Sequence, residues 1–316
     1  EKFHGAVVDH DNSEDNRVFK EVTRVGEALE NIKAVKGSYK KAKVAIIYDW
    51  ENNWALNDAQ GFSNASKRYP QTLQEHYRYF WNHDIAVEVI TSEADFSKYE
   101  LIIGPMMYLM TEDVMKRLSS YVKQGGTFVS TYITGYVNEN DLTYLGGWPQ
   151  PLREMFGIKV TETDTLYPKD RNAVHYADQF FEAKDYCSLF ELEGAEVLGT
   201  YTEDFYAGKP AITRNKYGQG AAYFIGARTN LDFLEYFYGE LAKNKGLENA
   251  WVIKGDPDVS VQSRDFENQS YRFVMNFSEE TKEIQVATAC VDLLTRTTHP
   301  TTLTLAPYEV LLLAEK

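Results

Sequence analysis

Between Lys43 and Thr131 short β-branched runs alternate with longer amphipathic stretches, and few folds accommodate that rhythm. Lys43-Val44-Ala45-Ile46-Ile47-Tyr48 predicts a strand, Gln71 to His83 a helix, Ala86-Val87-Glu88-Val89-Ile90 a second strand and Leu101-Ile102-Ile103-Gly104 a third, buried one. Thr111 supplies an N-cap oxygen for a helix to about Gln124, with Glu112 and Asp113 at its positive end. Gly125-Gly126 stops that helix before the strand Thr127-Phe128-Val129-Ser130-Thr131. Strands joined through helices run parallel, because each return to the same sheet edge needs a crossover of about a dozen residues.

That alternation predicts an α/β domain built on a doubly wound, flavodoxin-like parallel sheet, the layout of class I glutamine amidotransferases. Past Gly135 the pattern loosens until a late strand at Ala221 to Gly226 and a helix from Leu231 to Lys243, closing the domain near Gly246. From about Trp251 only strands follow: Val259 to Arg264, Tyr271 to Phe277, Lys282 to Ala287 and Tyr308 to Leu313, with polar turns such as Ser278-Glu279-Glu280 between them. Alternating faces point to a small antiparallel β-domain.

Ahead of the sheet lies a helix, predicted from Arg17 to about Val35 and capped within Asp11-Asn12-Ser13-Glu14-Asp15. Val18, Val22, Val25, Leu29 and Ile32 form one stripe along it. The stripe must bury against something: either the domain downstream or a partner that precedes this sequence, and the second is the bolder expectation. The first ten residues, Glu1 to His10, read as the end of a strand and an active-site loop whose partner strands lie outside this chain.

Composition narrows the function. A chain of 316 residues, 43% hydrophobic, holds core enough for two domains, and a net charge of −14 disfavours nucleic-acid backbones and anionic membranes. No apolar run is long enough to span a bilayer as a helix. Two cysteines about a hundred residues apart encode neither a disulfide framework nor a zinc site, which suits a reducing, cytoplasmic compartment. Asp9-His10-Asp11 reads as an acidic helix entrance, and His76 and His83 stand two turns apart, too far to share an ion. No metal and no cofactor is expected.

Amidotransferase chemistry needs a nucleophile in the elbow after a central strand, yet Gly104 is followed by Pro105, Met106, Met107 and Tyr108. Cys187 and Cys290 read as packing residues. A phosphate loop is equally absent, since Tyr48 is followed by the acidic, bulky Asp49-Trp50-Glu51-Asn52-Asn53-Trp54.

Glu1 to His10, Arg17-Val18-Phe19-Lys20-Glu21-Val22, Lys43 to Asn52 and the closing Thr302-Leu303-Thr304-Leu305-Ala306-Pro307-Tyr308-Glu309-Val310 fall in the order in which their counterparts occur in glycoside hydrolase family 42 β-galactosidases. The whole chain resembles the C-terminal half of that family. The resemblance implies the end of a (β/α)8 barrel at 1–39, an amidotransferase-like trimerisation domain at 40–250 and a β-domain at 251–316. It further implies a homotrimer acting on β-galactosides by retention, with both catalytic carboxylates on barrel strands before Glu1, so that no catalytic residue lies in this chain. Glu1 and His4 match the positions that bind galactose; the bland reading is a charged terminus and a loop histidine. Trp50, Glu51 and Trp54, just past the first sheet strand, are candidates for a contact between protomers, for plain packing or for a sugar contact across the trimer. The alternative is a stand-alone amidotransferase-like regulatory, sugar-binding or assembly domain without catalysis.

Overall fold

The computed structural model describes residues 7–315. By contact density the chain divides into one unit of Ala42–Trp81 with Ile85–Glu248, and another of Glu1–Lys41 with Asn82–Asp84 and Asn249–Lys316. The second unit opens with helix α1 (Arg17–Asn31). Its N-cap is Asn16, whose side chain accepts from the Phe19 amide, so the cap falls just after the acidic run Asp11 to Asp15. The helix ends at Asn31, and a separate 3-10 turn covers Lys33–Val35.

The first unit carries β1 (Val44–Ile47), α2 (Trp50–Asp58), α3 (Tyr69–Asn82), β2 (Val87–Ile90), β3 (Leu101–Gly104), α4 (Glu112–Lys123) and β4 (Thr127–Thr131). It continues with α5 (Arg153–Phe156), β5 (Ile158–Thr165), β6 (Asn172–Tyr176), β7 (Gln179–Leu192), β8 (Glu196–Tyr201), β9 (Pro210–Tyr217), β10 (Gly220–Ile225), β11 (Ala227–Thr229) and α6 (Leu231–Lys245). β2, β1, β3, β4 and β10 lie side by side and parallel. Alternate residues of these strands enter different cores. Val44, Ile46, Leu101 and Ile103 pack with Leu73 and Phe80 of α3 and Phe237 and Leu241 of α6. Ala45, Ile47, Ile102 and Phe128 pack with Met115, Leu118 and Val122 of α4. Burial on both faces is why β1 and β3 read as unbroken apolar runs.

The sheet does not stop at β10. β9 runs antiparallel to it, and β8, β6, β7 and β11 follow across the same sheet, with β5 on β7. An all-parallel sheet is therefore corrected to a mixed one, whose antiparallel half occupies the loosely patterned stretch after Gly135. α6 runs two residues past the predicted end at Lys243, to Lys245, with Gly246 at φ +61 as its left-handed cap.

Beyond α6 the second unit resumes with β12 (Val252–Lys254), β13 (Val259–Phe266), β14 (Gln269–Asn276), β15 (Lys282–Val286), β16 (Cys290–Asp292), β17 (Thr298–His299), β18 (Thr302–Leu305) and β19 (Val310–Glu315). They form two antiparallel sheets, β12-β15-β18 and β13-β14-β19-β16-β17, closed over Val261, Val274, Ile284, Leu303, Leu311 and Leu313. Ile32 and Val35 pack on Tyr271, Leu293 and Leu312 of this unit, whereas Val18, Val22, Val25 and Leu29 of α1 stay exposed, Leu29 by 60%.

Candidate functional site

Glu1 and His4 lie outside the described residues. Trp50, Glu51 and Trp54 are brought together on the helix α2. Asp49 leaves β1 in an extended conformation and caps α2, its carboxylate accepting from the amides of Glu51 and Asn52, while the Ser92 hydroxyl donates to its other oxygen. Glu51 in the first turn adds negative charge where the helix end is positive. The signal was present in the sequence as an Asx cap followed by an acid.

Helical spacing then sorts the side chains. Leu56 drops into the core, and the buried Asn52 amide donates to the Met106 carbonyl at 3.0 Å and accepts from the Leu109 amide at 2.9 Å. Trp50 and Trp54, one turn apart, point outward with 59% and 62% of their surface exposed and ring centroids 6.4 Å apart. The edge of Tyr48 meets Trp50 at 5.0 Å, and Tyr48 stacks on the buried Tyr69 at 5.6 Å. An aromatic series thus runs from core to surface at the carboxyl end of β1, the side of a parallel sheet on which α/β sites form. Sequence reading missed Asn52, whose role depends on the turn after β3, and Tyr48, which joins Trp50 to Tyr69.

That turn was the place to look for a nucleophile. Met106 adopts φ +48 directly after β3, a strained position for a non-glycine residue, and Ile133 does the same at φ +57 after β4. The hydroxyls nearby hold the turns: Thr131 accepts from the Met106 amide, Thr134 from the Met107 amide, and Ser130 donates to the Gly104 carbonyl. A buried thioether stands at the elbow. Cys187 is buried, and burial pushes its thiol up to about 12, so no thiolate forms there at neutral pH. Cys290 is buried as well and unpaired.

His76 lies on α3, whereas His83 lies just past the helix end at Asn82, so the two do not share a helix as the sequence suggested. Burial, with Arg228 adding to it, holds His76 down at about 3, and its Nδ1 lies 2.6 Å from the Tyr238 hydroxyl. Among the described residues no three His, Cys, Asp or Glu side chains gather as a metal site, and no helix is long and apolar enough to cross a membrane.

Fold and site define an α/β unit without a nucleophile at its elbow, followed by an antiparallel β unit. Residues 42–248 match the model of the β-galactosidase trimerisation domain, and residues 258–315 that of the β-galactosidase C-terminal domain. The chain belongs to the glycoside hydrolase family 42 β-galactosidases and corresponds to their C-terminal portion. It is 53% identical over 309 residues to β-galactosidase GalA of Bacillus licheniformis, covering 98% of this chain and 46% of that one. It is likewise 53% identical over 310 residues to GanA of Bacillus subtilis, with 98% and 46% covered. Among solved structures, a catalytic mutant of Gan42B, a GH42 β-galactosidase from G. stearothermophilus, superposes with a TM-score of 0.93 at 51% identity, over 100% of this chain and 46% of that one. The chain spans about half the length of the relatives it matches.

Proposed function

We propose that this chain is the assembly portion of a retaining β-galactosidase that removes terminal non-reducing β-D-galactose, and that it forms a homotrimer through its α/β unit. The match of residues 42–248 to the trimerisation-domain model carries this reading. The parallel strand order β2-β1-β3-β4-β10, covered by helices on both faces, supports calling that unit flavodoxin-like. Trp50 and Trp54, with Glu51 beside them, are the surface that touches a second copy: rigid aromatic rings standing out of a fixed helix are what interface anchors require. α1 is the last helix of the catalytic barrel, its exposed stripe from Val18 to Leu29 facing the barrel strands, so that the barrel portion is 1–39, the trimerisation portion 40–250 and the β-domain 251–316. Glu1 and His4 contribute one edge of the galactose site, a carboxylate and an imidazole suiting paired sugar hydroxyls. The acidic charge and the two unpaired cysteines suit the cytoplasm.

The two carboxyl groups that break the glycosidic bond belong to the barrel, not to this chain. Purified 316-residue chain is therefore expected to leave nitrophenyl β-galactoside intact, while the same chain fused behind a family barrel turns it over. Hydrolysis by the chain alone would refute the assignment.

A further inference from the structure

Helix α2 ends on Ala59 without a left-handed glycine cap. Its last turn carries no basic residue; the Ala59 amide donates to the Ala55 carbonyl and the Gln60 side-chain amide to the Asp58 carbonyl, which leaves the Leu56 carbonyl to a more distant donor. Lys67 supplies it from nine residues beyond the helix end. Its ammonium, on a side chain only 3% exposed, donates to the Leu56 carbonyl at 2.9 Å, to the Ala59 carbonyl, and to the Asn64 side-chain oxygen at 2.8 Å. All three partners are neutral oxygens. A buried ammonium without a carboxylate is costly, and burial accordingly lowers its pKa. The negative end of a helix dipole is the environment that offsets part of that cost.

The segment that carries Lys67 is itself fastened. Arg228, 2% exposed, donates to the carbonyls of Ser66 and Lys67 and to the Thr72 hydroxyl, while Asp185 and the Tyr132 hydroxyl hold the rest of its guanidinium. The Tyr186 hydroxyl donates to the Ser63 carbonyl. A nine-residue helix is marginal by itself, so its orientation depends on such ties. Asp49 fixes its start, Asn52 its middle, and Lys67 its end.

We propose that Lys67 is the positioning residue of the Trp50–Trp54 surface: by capping α2 from the return segment it fixes the angle at which the two indoles meet a second copy of this chain. The proposal rests on reading that surface as the contact between copies. In Lys67→Met the cap is lost with little change in volume. Amide exchange across residues 50–68 is expected to quicken tenfold or more, with exchange in β3 and β4 unchanged, and self-association measured by sedimentation to weaken at least tenfold.

Unchanged or uniformly faster exchange, or unaltered association, would overturn it. Trp50→Ala with Trp54→Ala separates the two ideas. If that double variant weakens association and Lys67→Met does not, the surface reading stands and the positioning role falls. If the double variant associates like the parent chain, the surface reading fails and the positioning role with it. Should Lys67→Met not fold, NMR of the unaltered chain labelled with ¹⁵N-lysine decides: a slowly exchanging ammonium signal is expected, and its absence counts against the cap.

Discussion

Asn52 and His76 show how single side chains set the unit around the candidate surface. Asn52 joins α2 to both a carbonyl and an amide of the turn after β3, at the strained Met106 and at Leu109. Asn52→Ala leaves the half-buried Leu109 amide without its acceptor and the Met106 carbonyl with the Tyr108 amide alone, and urea unfolding is expected to register a loss of about 1–3 kcal/mol. His76 is held neutral, so its folded pKa of about 3 lies below the ordinary 6.5 of the unfolded chain. As the pH drops below 6.5 the unfolded state takes up a proton that the folded state refuses. Stability therefore falls as pH drops, by about 1.4 kcal/mol per unit, until about pH 3. Replacing His76 by Gln, which keeps an acceptor for Tyr238, is expected to flatten the acid side of the stability profile by that slope, read by urea titrations between pH 6 and 4. The same slope in both proteins would show that the imidazole titrates normally.

At the scale of elements, α1 divides into an exposed stripe and a packed end. In this chain Val22→Thr and Leu29→Gln are expected to shift stability by less than about 0.5 kcal/mol, while Ile32→Ala, which empties contacts with Tyr271, Leu293 and Leu312, costs about 1–2 kcal/mol. Thermal unfolding compares them. The parallel strands and α4 were legible because a doubly buried strand is one apolar run and a cap such as Thr111 announces its helix. The antiparallel half was not. β7 spans fourteen residues, and the pairings of β5, β8 and β11 contain register shifts, those of β5 and β8 moving the inside face by one position and breaking the two-residue period. α2 hid for another reason: Trp50 and Trp54 are exposed, so its apolar residues mark two faces instead of one. The aromatic cluster was visible as composition, but its fastening by Asn52 and Lys67 depends on residues distant along the chain.

For the whole molecule, a net charge of −14 sets copies of the chain to repel one another unless apolar anchors overcome it. Trp50 and Trp54 are such anchors, and truncating both to alanine is expected to weaken association at least tenfold, with more at low ionic strength where repulsion is less screened. Assembly of three copies through the α/β unit is read from the mass of the purified chain in sedimentation equilibrium. At micromolar concentration a particle three times the 36.2 kDa chain is expected. A species that stays at 36.2 kDa throughout that range would contradict it.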